Sequence, residues 1–407
     1  MSRFDAAPGT GSRDHVHRFA ARHISRVDSS TDRTNRTPRI LTIIGTRPEA
    51  VKMAPVVREI TARGDRFEHV LATSGQHREL IEQMLAPLGL EAEANLALME
   101  PGQTLAALTA RALTAVTDLL ERVRPDALLV QGDTTTVMTA SLAAFYAGVR
   151  VGHVEAGLRT ADRRNPFPEE INRRLTGVLA DWHFAPTERA RRNLLAEGIA
   201  DAAIHVTGNT IVDALALFDP GAIRVAALES IDDAARLVLV TAHRRESIGE
   251  PLRSICRALR RIAAEREDVA IVYPVHPNPG VAAIVREELT GARRVHLIEP
   301  LGYREMLAAM KRSTLVLTDS GGIQEEAPTL GVPVLVLRET TERPELIDSG
   351  AGLLVGTEEE SIVNAALQLL DDDVARGAMR GIANPFGDGR AALRIVDALE
   401  TALVGRR

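Results

Sequence analysis

From Arg39 onward, short apolar runs alternate with longer amphipathic stretches. The runs predict strands over Ile40–Ile44, His69–Thr73, Ala127–Val130, Val151–Val154, His183–Ala185 and Ile204–Val206 in the first half. In the second half they predict Leu237–Thr241, Ala270–Tyr273, Val295–Ile298, Leu315–Thr318, Val334–Leu337 and Leu353–Val355. They are continuous rather than alternating, the pattern of parallel strands covered on both faces. Helical patterns lie between them, as at Thr104–Val123 and Pro251–Arg266. The reading is α/β: two doubly wound, Rossmann-like parallel-sheet domains around a cleft. Residues 39–208 together with 386–407 are expected to form the first domain and 209–385 the second. The final helix, Arg390–Leu403, follows an Asn-Pro-Phe-Gly-Asp-Gly turn and is expected to pack back on the first domain.

Composition adds boundaries to this picture. The 407 residues suit two domains, and 45% hydrophobic with 26% charged residues is a soluble globular balance. Aromatics make up only 3%, so the cores must be built from Ala, Leu, Val and Ile. A single cysteine, Cys256, excludes an intrachain disulfide and a multi-cysteine metal site. It lies in a helical apolar stretch and is expected to be buried. Residues 1–38 hold seven Arg against four Asp, which leaves 42 Lys+Arg against 51 Asp+Glu in the rest. This segment is polar and non-periodic, lacks the apolar centre of a signal peptide, and reads as a disordered extension. No apolar run reaches ~18 residues, so no membrane span is expected and the protein reads as cytoplasmic. The net charge of −6 without a polybasic face argues against nucleic acid.

The candidate chemistry sits where strands end. Asp319–Pro328 (DSGGIQEEAP) follows Leu315–Thr318 and reads as strand, glycine turn and helix start. Such a turn offers backbone N–H groups and the positive end of the helix dipole to a phosphate or diphosphate. Gly321 and Gly322 permit close approach, Ser320 adds a hydroxyl or a helix cap, and Glu325 and Glu326 suit ribose hydroxyls one turn later. Arg47 and Lys52 in Gly45–Lys52 suit a diphosphate, with Pro48 in the first turn of a helix. Asp133 is placed as a helix N-cap. Glu155 ends an apolar run, where a carboxylate needs a partner or a task. Glu169 or Glu170 is placed as a cap for a helix starting at Ile171, and His243 and His276 end the first two strands of the second half. There is no Walker loop, since Lys52 lacks the preceding glycine. No nucleophile elbow and no tight metal spacing is present either. The glycines of Gly387–Ala392 follow no strand and are discounted.

Eight strings in order carry a resemblance: GTRPEAVKMAP, GDTTT, HVEAGLRT, FPEEINR, TGNT, AHRRES, YPVHPNP and DSGGIQEEAPTLGVPVLVLRETTERPE. From about Arg39 to Leu399 the chain resembles the bacterial non-hydrolysing UDP-N-acetylglucosamine 2-epimerases. The resemblance implies a fold like the B-type glycosyltransferases. It also implies reversible C2 epimerisation of UDP-GlcNAc to UDP-ManNAc, by elimination of UDP to 2-acetamidoglucal and re-addition. Such chemistry needs acid/base groups on two faces of the sugar and a clamped leaving group. By resemblance Asp133, Glu155 and Glu169 are the acid/base carboxylates and His243 the catalytic histidine. Arg47, Lys52, His276, Ser320, Gly321, Gly322 and Glu326 hold UDP and sugar. Gln76, His77 and Arg111 match positions that bind a second UDP-GlcNAc as activator. Where the family often carries an aromatic residue near the uracil, this chain has Met306. No cofactor or metal is implied, a homodimer is, and the product would supply ManNAc for cell-surface polysaccharide. A hydrolysing relative that releases UDP and free ManNAc would share most of these strings.

Overall fold

The continuous apolar runs become strands that are buried end to end. In Leu237–Val240, for example, no residue exceeds 1% exposure. The computed structural model describes residues 36–75, 85–100, 102–160, 162–232, 234–244 and 247–405. Most of the expected extension, and also Gln76 and His77, lie outside these residues. Among the described residues, β1 (Arg39–Ile44), β2 (Glu68–Thr73), β3 (Ala94–Asn95), β4 (Ala127–Gln131), β5 (Arg150–Val154), β6 (Trp182–Ala185) and β7 (Ile204–Val206) form one sheet. A second sheet contains β8 (Arg236–Thr241), β9 (Val269–Pro274), β10 (Val295–Ile298), β11 (Leu315–Thr318), β12 (Val334–Val336) and β13 (Gly352–Leu354).

Both sheets are parallel and doubly wound. The orders are β3-β2-β1-β4-β5-β6-β7 and β10-β9-β8-β11-β12-β13. In each sheet the winding reverses once, between β1 and β4 and between β8 and β11: Ile40 pairs with both His69 and Ala127, and Val238 with both Ile271 and Leu315. The reversal opens a crevice at the carboxyl ends of the strands, where ligands bind in open α/β sheets. The twelve predicted strands are present with bounds shifted by a residue or so. β3, two residues long, has no apolar run to announce it.

The halves are joined at one seam. Helix Thr210–Leu215 is wholly buried and touches the helices Arg47–Ala62, Gly321–Glu326 and Ala391–Leu403. The last of these returns to the first half. Asp213 accepts from the Ala391 and Ala392 N–H groups at 3.1 and 2.8 Å, and Arg63 pairs with Glu400 at 2.8 Å and Asp397 at 2.7 Å. One apolar cluster runs from Ile40 and Ile44 through Ile211 and Leu215 to Leu239 and Val316, so both sheets share a core across the seam. Truncating a residue such as Leu239 would cost about 2–5 kcal/mol. Among the described residues no helix is long and apolar enough to cross a membrane. Cys256 is buried in the helix Glu250–Glu265, where burial pushes its thiol up to about 12.

Candidate active site between the two sheets

The turn after β1 is built from a capping box. Thr46 accepts from the Glu49 N–H, and the Glu49 carboxylate accepts from the Gly45 and Thr46 N–H groups. A Cβ on Gly45 would lie 2.8 Å from Ser74 Oγ and 3.2 Å from the Glu49 carboxylate, so a side chain there would have to displace them. Pro48 stands in the first turn of the helix. This geometry directs exposed Arg47 across the seam, where its guanidinium lies 5.8 Å from the centre of the Tyr303 ring. Met306 lies on the same helix as Tyr303, half-buried against the core.

Lys52 points inward instead. Its Nζ lies 2.5 Å from Glu155 Oε2 and 3.0 Å from Glu325 Oε2. Arg343 closes the group, with Nε 2.5 Å from Glu325 Oε1 and Nη2 3.8 Å from Glu155 Oε1. Two cations and two carboxylates, two from each half, thus form a buried quartet. Glu155 follows β5 with φ of +64°, a conformation that costs a non-glycine residue energy and marks functional positions. Gly157, two residues on, admits no side chain, because a Cβ would come within 2.3 Å of the Ala190 carbonyl oxygen. Gln131 Nε2 donates to Glu155 at 2.9 Å. Burial raises the pKa of Glu155, Lys52 opposes that, and Glu325 adds to it. Burial acts against the charge of Lys52, but Glu155 and Glu325 outweigh it and hold its pKa up. For Glu325 burial is outweighed by Arg343 and Lys52, and its pKa is lowered.

Asp133 does not cap a helix. Thr134 does, accepting from the Val137 N–H, because the Asp133 carboxylate is taken by Arg173 Nη2 at 2.7 Å. Nor does Glu169 or Glu170 cap from outside: the helix begins at Glu169 itself, after Pro168. Glu170 is fully buried and serves Arg174 at 2.8 Å and the Thr160 N–H at 3.0 Å. Half-buried Glu169 lines a cleft of about 610 Å³ with Arg244 of the opposite half.

Across the cleft, Asp319 anchors the turn after β8. It is fully buried, and its Oδ2 accepts from the His243 and Arg244 N–H groups, both at 2.7 Å. The Tyr273 hydroxyl donates to the Ala242 carbonyl at 2.6 Å. The His243 ring stacks on that of His276, with centres 4.9 Å apart and planes 10° apart. Burial lowers the pKa of His243, with Asp319 opposing and His276 and Arg244 adding to the effect. His276 Nδ1 accepts from the Asn278 N–H at 3.1 Å, which leaves Nε2 as its donor.

Ser320 precedes the helix Gly321–Glu326 without a capping bond from its hydroxyl. A Cβ on Gly321 would lie 3.7 Å from both Arg244 and Arg343, so the turn adjoins both arginines. Glu325 does not offer its carboxylate to a ribose, since both oxygens face Lys52 and Arg343. Among the described residues no cation lies at contact distance from Glu326; burial pushes it up to about 8, with Glu325 adding to the rise. Arg111 lies apart from this cleft and pairs with Glu100 at 2.8 Å and the Leu98 carbonyl at 3.1 Å. Among the described residues no group of three His, Cys, Asp or Glu is arranged to hold a metal ion.

The structure therefore brings Glu155, Lys52, Ser320, Gly321 and Glu326 to one seam, with Asp133 and Glu169 on one wall and His243 and His276 on the other. Sequence reasoning missed Arg343, Arg173, Asp319 and Arg244. Arg343 lies seven residues beyond β12 in an irregular segment, and its one local signal is the helix-starting Pro344 that follows.

Comparisons with known proteins place the chain in a family. The family model for UDP-N-acetylglucosamine 2-epimerase matches residues 58–400. A UDP-N-acetylglucosamine 2-epimerase of Yersinia pestis is 48% identical over 370 residues, covering 89% of this chain and 98% of its own. The crystal structure of UDP-GlcNAc 2-epimerase from Neisseria meningitidis bound to UDP-GlcNAc superposes with a TM-score of 0.82 at 43% identity, covering 89% of this chain and 99% of its own. The S. aureus MnaA–UDP co-structure gives 0.83 at 40% identity, covering 90% and 97%. With matched residues that span both sheets and the cleft between them, this chain belongs to the UDP-N-acetylglucosamine 2-epimerase family.

Proposed function

We propose that the protein interconverts UDP-GlcNAc and UDP-ManNAc without net hydrolysis, by elimination of UDP to 2-acetamidoglucal and re-addition. The observation that carries this reading is the buried quartet. A strained carboxylate from the first half, Glu155, meets Lys52 and Arg343 where the Ser320–Gly321–Gly322 turn of the second half arrives. A base at C2 and a departing diphosphate must act together in an elimination, and here a carboxylate and two cations share one seam. Lys52 donates to Glu155 and lies 3.0 Å from Glu325 as an ion pair, which leaves ammonium donors for a phosphate oxygen. Arg47 enters from the rim, and Ser320, Gly321, Gly322 and the His276 Nε2 donor complete the diphosphate and ribose contacts. Glu326, protonated over much of the neutral range, suits a ribose hydroxyl.

Asp133, Glu155 and Glu169 then divide the proton transfers on the two faces of the sugar, with His243 beside the leaving group. The relatives bound to UDP-GlcNAc and to UDP support the same ligands here. Gln76, His77 and Arg111 would hold a second UDP-GlcNAc as activator. A homodimer belongs to the same reading. The exposed Phe145, Tyr146, Leu175 and Val178, on two helices that touch, supply an apolar surface for it. The product would feed cell-surface polysaccharide in the cytoplasm.

Incubation with UDP-GlcNAc in deuterated water tests the proposal. Deuterium at C2 of both epimers, at a plateau without net UDP release, is expected. Retention of the C2 hydrogen sinks the elimination, and stoichiometric accumulation of UDP converts the reading to hydrolysis.

A further inference from the structure

We propose that Arg173 is a positioning residue that, with Asn172, clamps Asp133 to the same helix that carries Glu169. The proposal rests on the function given above, in which both carboxylates move protons. Glu169, Asn172 and Arg173 occupy positions i, i+3 and i+4 of the helix Glu169–Leu179, and so share a face. From that face Asn172 Nδ2 donates to the Asp133 backbone carbonyl at 3.0 Å, and Arg173 Nη2 reaches Asp133 Oδ2 at 2.7 Å. Both side chains are buried, while the Asp133 side chain keeps 29% exposure. One aspartate is thus held at its main chain and its side chain by two neighbouring residues of one rigid element.

The turn needs such a hold. Asp133 follows Gly132, whose φ is +80°, and leads into the helix Thr135–Tyr146. On the far side of the turn, His153 Nε2 contacts the Gly132 carbonyl at 2.7 Å, and the Gly132 N–H donates to Val154 at 3.1 Å. These contacts fix Gly132 and leave the Asp133 carboxylate free to rotate. Arg173 removes that freedom. Its own seat is set by fully buried Glu170, 3.6 Å away, which is also tied to Arg174 and the Thr160 N–H. A guanidinium keeps its donors in a fixed plane, whereas an ammonium on a flexible stem does not. The consequence is that Asp133 and Glu169 are spaced by protein rather than by substrate. A reaction that takes a proton from one face and returns it to the other requires that spacing, and an error of about 1 Å costs on the order of 100-fold in rate.

The test measures kcat, KM and UDP affinity for Arg173→Met, Arg173→Lys, Asp133→Asn and the double variant Arg173→Met/Asp133→Asn. Arg173→Met is expected to lower kcat about 100-fold with UDP affinity unchanged, and Arg173→Lys to recover part of the loss. The double variant should turn over no more slowly than Asp133→Asn alone, the signature of two residues acting through one group. Two independent residues would instead multiply the two losses, and a merely structural ion pair would lower stability and weaken UDP binding alongside kcat; either result overturns the proposal. If Arg173→Met does not fold, Asn172→Ala releases only the main-chain hold. A roughly tenfold loss of kcat is expected for it, and an unchanged kcat overturns the clamp. Wild-type turnover in Asp133→Asn would instead remove the proposed role of Asp133 itself. An inactive Asp133→Asn beside a fully active Arg173→Met would remove the clamp alone.

Discussion

The two walls of the cleft hold their functional groups by different physics. On the first-half wall the carboxylates are held by charge: Asp133 by Arg173, and Glu155 by Lys52 and Arg343. On the second-half wall the groups are held by backbone: His243 through its own N–H and that of Arg244, both bonded to Asp319, and His276 through the Asn278 N–H. Ion pairing fixes a carboxylate's position and its proton affinity together. Backbone bonding fixes position and leaves the ring or hydroxyl to the ligand. In the proposed reaction the difference would divide the work, with proton transfer at the carboxylates of the first wall and the second wall holding ligand together with Arg47 and Lys52.

The largest break in that comparison comes from Lys52→Met. Stranding Glu155 and Glu325 in the seam with Arg343 alone should destabilise the fold by about 3–5 kcal/mol, the scale for removing one partner of a buried ion pair. Denaturant unfolding measures it. Adding Glu325→Gln should restore part of the loss, since one stranded charge is then removed. A cost below about 1 kcal/mol, the range of exposed pairs, would mean that water screens the quartet and that the first wall is not held by charge.

Glu326 sharpens the comparison because it breaks the pattern, a buried carboxyl on the second wall with no cation in contact among the described residues. Burial raises it from 4.5 to about 8. Between those values the folded chain keeps a proton that the unfolded chain has released. Stability therefore falls as pH rises from about 4.5 to about 8 and levels off above that. Glu49, raised by burial to about 7, adds a slope of the same sign. Glu326→Gln holds no titrating proton and should flatten the pH dependence by roughly 2–4 kcal/mol across the window. Melting curves at pH 5 and pH 8 decide it, and an unchanged slope would place Glu326 in ordinary solvent contact.

Much of the fold was legible because parallel strands buried on two faces must be apolar throughout, and Leu237–Thr241 or Leu315–Thr318 satisfy that without reference to the rest of the chain. β3 was not legible: two residues at a sheet edge bury too little to leave a pattern. In the site, residues at strand ends were found because the sheet's winding places them. Their partners were not. Arg343 meets Glu155 across the seam from 188 residues further along the chain, and no local periodicity records such a contact. The capping role given to Asp133 shows the same limit. Asp and Thr are both good caps, and what selected Thr134 was a distant arginine that occupied its neighbour.

The smallest expected effect tests the second wall directly. Ser320 opens the helix Gly321–Glu326, and its N–H is already bonded to Thr318 Oγ1 at 2.9 Å while its hydroxyl makes no capping bond. Ser320→Ala therefore removes no bond that holds the turn, and the helix start should survive. On the proposed function what it removes is one donor to a diphosphate oxygen, a charge-assisted bond worth about 1.5 kcal/mol, or roughly tenfold in UDP affinity. Calorimetric titration with UDP should show that loss with no change in melting temperature. If stability falls with affinity, the hydroxyl is part of the fold after all. If neither changes, the turn holds the diphosphate through its backbone alone. Only the expected pair of results keeps the second wall as a surface whose polar side chains are held ready for ligand and not consumed by structure.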